Sequence, residues 1–474
     1  MKINLMRNNI SFRLNLSRVS SVSVILLFSA VSFIPISCTK KSLQSAVNFA
    51  SPYSTLLEGK IEEGRVLAPA GASGEILKAQ IKSQLKFATG QLATDYSGIE
   101  HDSIVSGFNA TPIGIDAPSG LSVYRYNASF SIAMESGLWE KNDTKALTLI
   151  LPLRTDADGL AKFWDTYGKK CVAKKIGANG IQPDTEATKE TFWYFYRVND
   201  CVLSETPATA AEFDGVYRTL VKLKSSEANS VHKSPEYGRI WDDGKFVATV
   251  VITYVGDILG SEGGTQAFVG YLKRFVSAFG SPIHSSNLSE SWQEIVTKPS
   301  FHPEQHLTFA GPLGNVELNL FLINTVSSPL IVESSLPQNF EKSLAESVKN
   351  SDFVSYNGHS GFGQSSLLFA EKLKNSLSPG KYTVVQLNGC NTWVYAGDAL
   401  MKKSMEINNQ QKNNLDLILN ILPSPIHAIE SNSDMLMAMT SGFPTYDEIL
   451  NAGDKSMRPV VVYENDNEWK SVVP

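Results

Sequence analysis

The chain has 474 residues, of which 42% are hydrophobic, 19% charged and 10% aromatic. This composition is that of ordinary globular proteins and excludes long disorder, a collagen-like repeat and a polytopic membrane protein, while the length suggests two or three domains. With 42 Lys and Arg against 47 Asp and Glu the formal net charge is -5, so charge gives no reason to expect nucleic acid as a partner.

The first 37 residues have the features of an export signal. Residues 1–18 contain basic side chains and no acidic one, and residues 22–36 form a short apolar run interrupted by Ser and Pro. A basic start, a short apolar core and a small residue before the cleavage point describe a secretory signal peptide. We therefore predict that residues 1–37 are removed and that the protein is exported.

The residues around the cleavage point also indicate how the protein is attached to a membrane. Ser37 directly before Cys38 resembles the lipobox of bacterial lipoproteins, in a loose version. The resemblance implies lipidation of Cys38 and an anchor on a membrane face of the cell envelope. Thr39 after the cysteine points, by the same resemblance, to the outer membrane. The alternative is a plain signal peptide, in which Cys38 is incidental or removed.

Export changes the interpretation of the other cysteines, because disulfides form in an oxidising envelope. Cys171 and Cys201 lie in one region of the sequence. We predict that they pair and close a loop of about thirty residues, worth roughly 3 kcal/mol on the loop-entropy estimate. Cys390 is then left over, which is unusual in an exported protein.

Residues 38–95 are interpreted as a tether and docking helix. Residues 68–74 are rich in Ala, Gly and Ser and read as a flexible spacer. Apolar residues at helical spacing predict a helix over residues 75–92.

Residues 96–235 are interpreted as a β-rich α+β domain. Apolar and aromatic runs over residues 121–133, 146–153 and 192–198 predict strands. A helix is predicted over residues 159–167. This region contains no motif that identifies a chemistry.

The hydrophobic pattern changes after residue 235, and residues 236–474 are interpreted as one α/β domain. Apolar strands that alternate with helices predict a mainly parallel sheet with helices covering both faces. Strands are predicted over residues 246–255, 316–323, 352–356, 382–387, 415–422 and 459–463, and helices over residues 266–279, 340–348, 366–377 and 393–401.

Two of these strands end in similar triplets, Asn357-Gly358-His359 and Asn388-Gly389-Cys390. A right-handed strand-helix-strand crossover places neighbouring parallel strands about 5 Å apart. His359 and Cys390 are therefore predicted side by side at the carboxyl ends of the strands, where the sites of such sheets gather. An imidazole beside a thiol can take its proton and so activate a Cys nucleophile.

The residues next to this pair suggest how a reaction intermediate is held. Glycines around His359 let the backbone approach a substrate. The N–H groups of Ser360 and Cys390 are predicted to face one point and form an oxyanion hole. Cys390 also opens a predicted helix, whose dipole favours a thiolate.

A Gly-flanked His at one strand end and a small residue plus Cys at the next resemble the caspase-like cysteine peptidases, in particular the gingipain and clostripain type (clan CD). The resemblance covers residues 245–425. It implies a caspase–haemoglobinase fold with His359 as catalytic His, Cys390 as nucleophile, and the N–H groups of Ser360 and Cys390 as oxyanion hole. The sequence departs from the family where Ser360 replaces the Gly after the His and where Asn388-Gly389 precedes the Cys.

The same resemblance suggests a residue for substrate specificity. Arg-specific members carry an acid on the floor of the pocket that binds the side chain before the scissile bond. Asp257, at a strand end on the same edge, is the candidate substrate-binding residue, and a structural cap is the alternative. The weaker candidates are Asp398, Glu430 and Asp434.

A metal or cofactor is not predicted. His302 and His306 are four residues apart, as metal ligands can be, but Pro303 disfavours a helix through them. A third ligand is not visible in the sequence. The predicted chemistry needs no cofactor.

The sequence thus supports two hypotheses of different class. The first is an envelope-anchored cysteine endopeptidase, a hydrolase that acts on a protein or peptide substrate. The second is a non-catalytic surface lipoprotein with a degenerate peptidase-like domain, in which the β-rich domain binds a partner.

Overall fold

The structure, a computed structural model, describes residues 47–95, 104–113, 117, 120–136, 144–168, 171–172, 174–177, 180–183, 187–189, 192–196, 216–229, 233–254, 263–285, 304–324, 340–360, 369–370, 373, 375–390, 392–395, 400, 406, 414–422, 424 and 428–464. Residues 1–37, Cys38, Cys201 and Asp257 lie outside these residues. The signal peptide, the lipidation, the disulfide and the substrate-binding acid stay predictions. Cys171 is buried.

The described strands are β1 Val47–Ala50, β2 Ser54–Pro69, β3 Ile104–Ile113, β4 Leu121–Glu135, β5 Thr144–Pro152, β6 Lys174–Gly177, β7 Gly180–Pro183, β8 Val216–Ser225, β9 Lys245–Tyr254, β10 His284–Ser285, β11 Glu304–Ala310, β12 Asn315–Asn324, β13 Phe353–Asn357, β14 Thr383–Asn388, β15 Leu415–Asn420 and β16 Pro459–Glu464. The described helices are α1 Gly74–Asp95, α2 Ala157–Phe163, α3 Phe192–Phe195, α4 Tyr237–Ile240, α5 Gly263–Phe279, α6 Phe340–Asn350, α7 Thr392–Tyr395, α8 Ala428–Ser441 and α9 Tyr446–Ala452. The protein is therefore of the α/β class.

The larger sheet, here called the large sheet, is mixed rather than mainly parallel. Within the described part of the chain its nine strands lie in the order β1-β16-β15-β14-β13-β9-β12-β11-β10. The central strands from β15 to β12 pair in parallel, whereas the outer pairs are antiparallel. The prediction fails at one edge because the short link of residues 311–314 allows a hairpin but no crossover. It fails at the other edge because β16 returns antiparallel after a long connection that contains α8 and α9.

The second sheet, here called the antiparallel sheet, has five strands among the described residues, in the order β3-β4-β2-β8-β5. All of its pairs are antiparallel. Strand β2 belongs to it and β1 to the large sheet, so residues 47–69 form strands where the sequence predicts a tether. Charged side chains on the exposed face of β2 hide its strand character. The helix predicted over residues 75–92 is confirmed by α1.

The aromatic run after residue 191 is a short helix, α3, and the predicted strand is wrong there. Phe192 and Tyr196 are one helical turn apart and point to the same side. Both rings pack on Phe87 of α1, with ring centroids 5.8 and 5.4 Å away. Packing against α1 thus determines the conformation of this segment, whereas its aromatic content alone predicts a strand.

Strands β13, β14 and β15 are completely buried. Their side chains alternate between two hydrophobic clusters, one on each face of the large sheet. Phe353 and Val384 lie in one cluster, and Val354 and Val385 in the other. The polar residues at the strand ends are consequently held by a rigid, fully packed support.

Candidate active site

The strand register brings the two predicted catalytic residues to one edge. Strands β13 and β14 pair in parallel with Asn357 opposite Asn388. The ladder continues one step further, because the Gly358 N–H donates to the Asn388 carbonyl at 3.0 Å. His359 and Cys390 each follow these paired asparagines by two residues. We call the carboxyl ends of β13, β14 and β15 the carboxyl edge.

The glycines of the two triplets are required by close contact. A Cβ atom on Gly358 would lie 1.7 Å from Thr253 Oγ1 of β9. A Cβ atom on Gly389 would lie 2.5 Å from Ser360 Oγ and 3.0 Å from the Gly358 carbonyl oxygen. The turns that carry His359 and Cys390 therefore pack directly on each other.

Cys390 is a free cysteine of intermediate exposure. Burial raises the pKa of its thiol above the usual value, while hydrogen bonds from the backbone N–H groups of Ser424 and of Cys390 itself lower it in part. Burial is the largest of these effects and opposes the thiolate that the sequence predicts; the described helix α7 begins two residues later, at Thr392. The resting group is a thiol, and attack on a substrate needs a base.

His359 is exposed at the carboxyl edge, and its backbone is fixed by Tyr356. The Tyr356 hydroxyl donates to the His359 carbonyl oxygen at 2.7 Å. Burial raises the pKa of Tyr356 to about 12, and the nearby charge of Cys390 contributes to the increase. Tyr356 thus stays protonated over the ordinary pH range and keeps its donor role. The sequence analysis missed this residue.

A ladder of asparagine side chains supports the edge from below. Asn357, Asn388 and Asn420 are the last residues of three neighbouring parallel strands, and all three are buried. Asn388 Nδ2 donates to Asn357 Oδ1 at 3.1 Å, and Asn420 Nδ2 donates to Asn388 Oδ1 at 2.9 Å. The signal in the sequence is the recurrence of Asn at strand ends.

Two hydroxyl groups tie neighbouring segments to this ladder. Ser424 Oγ, after β15, donates to Asn388 Oδ1 at 2.6 Å. Thr392 Oγ1 of α7 donates to the Leu387 carbonyl at 2.6 Å and accepts from the Asn420 N–H at 2.9 Å. The segments that follow β14 and β15 are therefore held at the carboxyl edge by buried polar contacts.

Ser360 contributes a feature that the sequence does not reveal. Its side chain is 1% exposed, and its hydroxyl oxygen has no hydrogen-bond partner among the described residues. An unpaired buried hydroxyl costs free energy. The oxyanion role of the Ser360 N–H group stays a prediction.

Of the acids predicted for the specificity pocket, Asp434 can be placed among the residues that the structure describes. Asp257, Asp398 and the side chain of Glu430 lie outside the described residues. Asp434 lies on α8 and forms an ion pair with Arg274 of α5 at 2.6 Å. Because its charge is paired between two helices, Asp434 is occupied by a structural contact.

The histidine considered as a metal ligand is engaged in other contacts. His306 Nε2 lies 2.5 Å from Glu304 Oε1, and His306 Nδ1 lies 2.6 Å from Asn319 Oδ1. His302 lies outside the described residues. Within the described residues, three or more His, Cys, Asp or Glu side chains are nowhere grouped so that they could hold a metal ion.

Two sequence comparisons, with protein families and with curated proteins, found no match. The sequence matches no protein-family model, and no curated protein matches it. Of the helices in the described part of the chain, none has the length and apolar character needed to cross a membrane. A function must therefore rest on the chemistry of the carboxyl edge.

Proposed function

We propose that the chain is a cell-envelope lipoprotein whose large-sheet region hydrolyses peptide bonds with Cys390 and His359, like the caspase-like peptidases of the gingipain and clostripain type. The observation that carries the proposal is the register of β13 and β14. It sets Asn357 opposite Asn388, so that an imidazole and a thiol follow at equivalent positions of adjacent strands. The exposed histidine and the partly exposed cysteine are both accessible to a substrate.

The proposed reaction begins from the neutral thiol. Cys390 Sγ attacks the carbonyl carbon of the peptide bond while His359 accepts the thiol proton. Backbone N–H groups, of Cys390 and of Ser360, hold the negative oxygen of the tetrahedral intermediate. The intermediate collapses, the C–N bond breaks, and His359 returns the proton to the leaving amine. Water then hydrolyses the thioester, again with His359 as base, and restores the enzyme without a cofactor.

The location is part of the proposal. Lipidation of Cys38 would leave residues 39–46 between the anchor and β1. An extended chain spans at most about 3.5 Å per residue, so this link reaches roughly 30 Å. The edge would thus act near a membrane surface, on protein or peptide substrates, with Asp257 as the acid that selects a basic side chain.

One observation favours the second hypothesis, a non-catalytic surface lipoprotein. Burial raises the pKa of the Cys390 thiol, as expected for a structural cysteine. In that case the carboxyl edge would have only a structural role, and another surface would bind the partner. The two hypotheses differ in whether His359 and Cys390 are needed together.

The test is peptide hydrolysis by the full chain, measured with a mixed peptide library and mass spectrometry. His359→Ala should lower turnover by about 10²–10⁴-fold, the usual contribution of a general base, and Cys390→Ala should lower it at least as much, because the nucleophile itself is lost. His284→Ala is the matched control, because His284 is an exposed histidine on β10. Unchanged turnover in Cys390→Ala would exclude the peptidase mechanism.

A further inference from the structure

A buried hydroxyl group holds the turn that carries His359. Tyr356, the fourth residue of β13, is 2% exposed, and its ring packs on Phe369 with the ring centroids 4.8 Å apart. The Tyr356 hydroxyl donates to the His359 carbonyl oxygen at 2.7 Å. Tyr356 lies opposite Leu387 of β14 and Val251 of β9, so the strands on both sides fix the position of this donor.

The same bond sets the direction of the next N–H group along the chain. The carbonyl of His359 and the N–H of Ser360 belong to one peptide unit, and the described residues contain no cis peptide bond. In a trans peptide unit the C=O and N–H bonds point in opposite directions. Because the carbonyl oxygen is held toward Tyr356, the Ser360 N–H points away from Tyr356 and from the hydrophobic cluster to which that ring belongs.

Ser360 also lies directly beside the turn that carries Cys390. A Cβ atom on Gly389 would be 2.5 Å from Ser360 Oγ, so Ser360 packs against the residue that precedes the cysteine. Among the described residues, no hydrogen bond takes up the Ser360 N–H, although Ser360 is 1% exposed. Because a buried N–H group without an acceptor costs free energy, this donor suits an acceptor that a bound substrate supplies.

We propose that Tyr356 is a positioning residue of the oxyanion hole: its hydroxyl orients the His359–Ser360 peptide unit so that the Ser360 N–H donates to the negative oxygen of the tetrahedral intermediate. The inference deepens the proposed function and rests on it. Tyr356 does not touch the substrate in this scheme. An oxyanion donor acts most strongly when it needs no reorientation as the charge develops, and the buried bond from Tyr356 holds the peptide unit in place beforehand.

The test compares two reactions of Cys390 in the full chain. Peptide hydrolysis forms an oxyanion, whereas alkylation by iodoacetamide displaces iodide from a saturated carbon and forms none; both require the thiol proton to leave. Tyr356→Phe should lower kcat for peptide hydrolysis by about 10–100-fold, part of the roughly 10²–10³-fold that a lost oxyanion donor costs. KM and the alkylation rate should stay within about twofold of wild type, because the oxyanion is absent from the bound substrate.

Tyr237→Phe is the matched control. Tyr237 is buried, and its hydroxyl donates to a backbone carbonyl oxygen, that of Pro444, at 2.9 Å. The variant loses a bond of the same kind outside the candidate site, so its thermal stability should fall about as much as that of Tyr356→Phe while hydrolysis stays unchanged. An equal loss of hydrolysis in both variants would mean that lower stability is the cause, and it would overturn the proposal.

The two reactions also separate the failure of this inference from the failure of the proposed function. Unchanged hydrolysis in Tyr356→Phe overturns the role of Tyr356 and leaves the peptidase mechanism intact. Hydrolysis and alkylation that fall together overturn it as well, because Tyr356 would then act on the base His359 rather than on the oxyanion. A wild-type chain that alkylates but hydrolyses no peptide contradicts the proposed function itself, and the inference is then wrong with it.

Two further variants decide the question if Tyr356→Phe does not fold. 4-Aminophenylalanine at position 356 keeps an N–H donor where Tyr356 has its O–H, and 4-methylphenylalanine has the same size without a donor. Hydrolysis should stay close to the wild-type rate in the amino variant and fall in the methyl variant, with alkylation alike in both. Equal hydrolysis rates in the two variants would overturn the hydrogen bond to the His359 carbonyl as the cause.

Discussion

The two ends of the parallel strands in the large sheet are built from different chemistry. At the amino ends of β13, β14 and β15 lie charged and phenolic groups that are paired with each other. At the carboxyl ends lie neutral amides, glycines and a hydroxyl without a partner among the described residues. Both ends belong to one buried support, so the contrast reflects what each end does rather than how well it is packed.

The amino end contains two buried carboxyl groups. Asp352, 1% exposed, accepts the Val247 N–H at 2.8 Å and forms an ion pair with Lys381. Asp416, also 1% exposed, accepts the Tyr382 hydroxyl at 2.5 Å and the Tyr446 hydroxyl. Each charge is compensated by donors from other segments, as stability requires.

The carboxyl end keeps groups that stability alone does not favour. Ser360 Oγ is buried without a partner among the described residues, and the Cys390 thiol is desolvated. Glycines that a Cβ atom would disrupt bring the two turns together. The contrast indicates that the amino end stabilises the strands, while the carboxyl end contains less stable groups of the kind that the proposed site requires.

The largest expected effect is on the amino end. Asp416→Ala removes two buried hydrogen bonds to a carboxylate, so the free energy of unfolding should fall by about 4 kcal/mol, at roughly 1.5–3 kcal/mol for each bond to a charged group. Urea unfolding measures the change. Asp434→Ala, which breaks a partly exposed ion pair, is the control and should cost less than about 1 kcal/mol. Altered Cys390 alkylation in Asp416→Ala would mean that the two ends are coupled.

The second prediction uses the pH dependence of stability. Burial raises the pKa of Asp352 from 3.8 to about 6, although the bonds from Lys381 and the Val247 N–H lower it. Between pH 4 and 6 the folded protein therefore binds more protons than the unfolded chain, and stability falls as pH rises through this window. At 1.36 kcal/mol per pKa unit the loss is about 3 kcal/mol.

Asp352→Asn should lack this contribution, because the amide does not titrate. Urea unfolding of both proteins at pH 4, 5, 6 and 7 measures it. The difference in unfolding free energy, variant minus wild type, should rise from pH 4 to 6 and stay level above. If the unfolding free energies of the two proteins changed with pH in the same way, the raised pKa of Asp352 would be contradicted.

The third prediction concerns the contact between the two turns. Gly389→Ala places a Cβ atom 2.5 Å from Ser360 Oγ, and such overpacking costs about 2 kcal/mol. Adding Ser360→Ala removes that hydroxyl and should recover about half of the loss in addition to the gain expected for Ser360→Ala alone, since the Gly358 carbonyl at 3.0 Å remains. Gly107→Ala, with nothing within 4 Å, is the control. An additive double variant would show that the turns do not touch.

The sequence predicts those features of the large sheet that follow from the order of strands and helices along the chain. Two neighbouring apolar strands joined by one helical crossover are expected to pair in parallel, and β13 and β14 do so, which places residues 359 and 390 at one edge. Most central elements of the large sheet are confirmed on the same basis. One antiparallel edge is missed because a short link sets the direction of β11. The other is missed because β16 returns antiparallel after a long helical connection whose course the strand sequences do not reveal.

The support of the site is beyond sequence reasoning for a physical reason. Asn420 and Ser424 act through contacts with residues far away in the chain, and single asparagines or serines carry no motif. The thiolate expected at Cys390 stays a prediction, and burial of the thiol opposes it. A helix dipole can be anticipated from the sequence, whereas the desolvation of a side chain depends on everything packed around it.

The smallest predicted effect has the most informative sign. Ser360→Ala removes a buried hydroxyl that has no partner among the described residues, so the free energy of unfolding should increase by about 1 kcal/mol. Thr392→Ala is the matched control: its hydroxyl, also buried, donates to the Leu387 carbonyl and accepts from the Asn420 N–H, so the variant should lose about 1–2 kcal/mol. A loss in both variants would mean that the Ser360 hydroxyl is satisfied. A gain in Ser360→Ala together with slower peptide hydrolysis would mean that the carboxyl end keeps this hydroxyl for a bound substrate, at a cost that the amino end offsets.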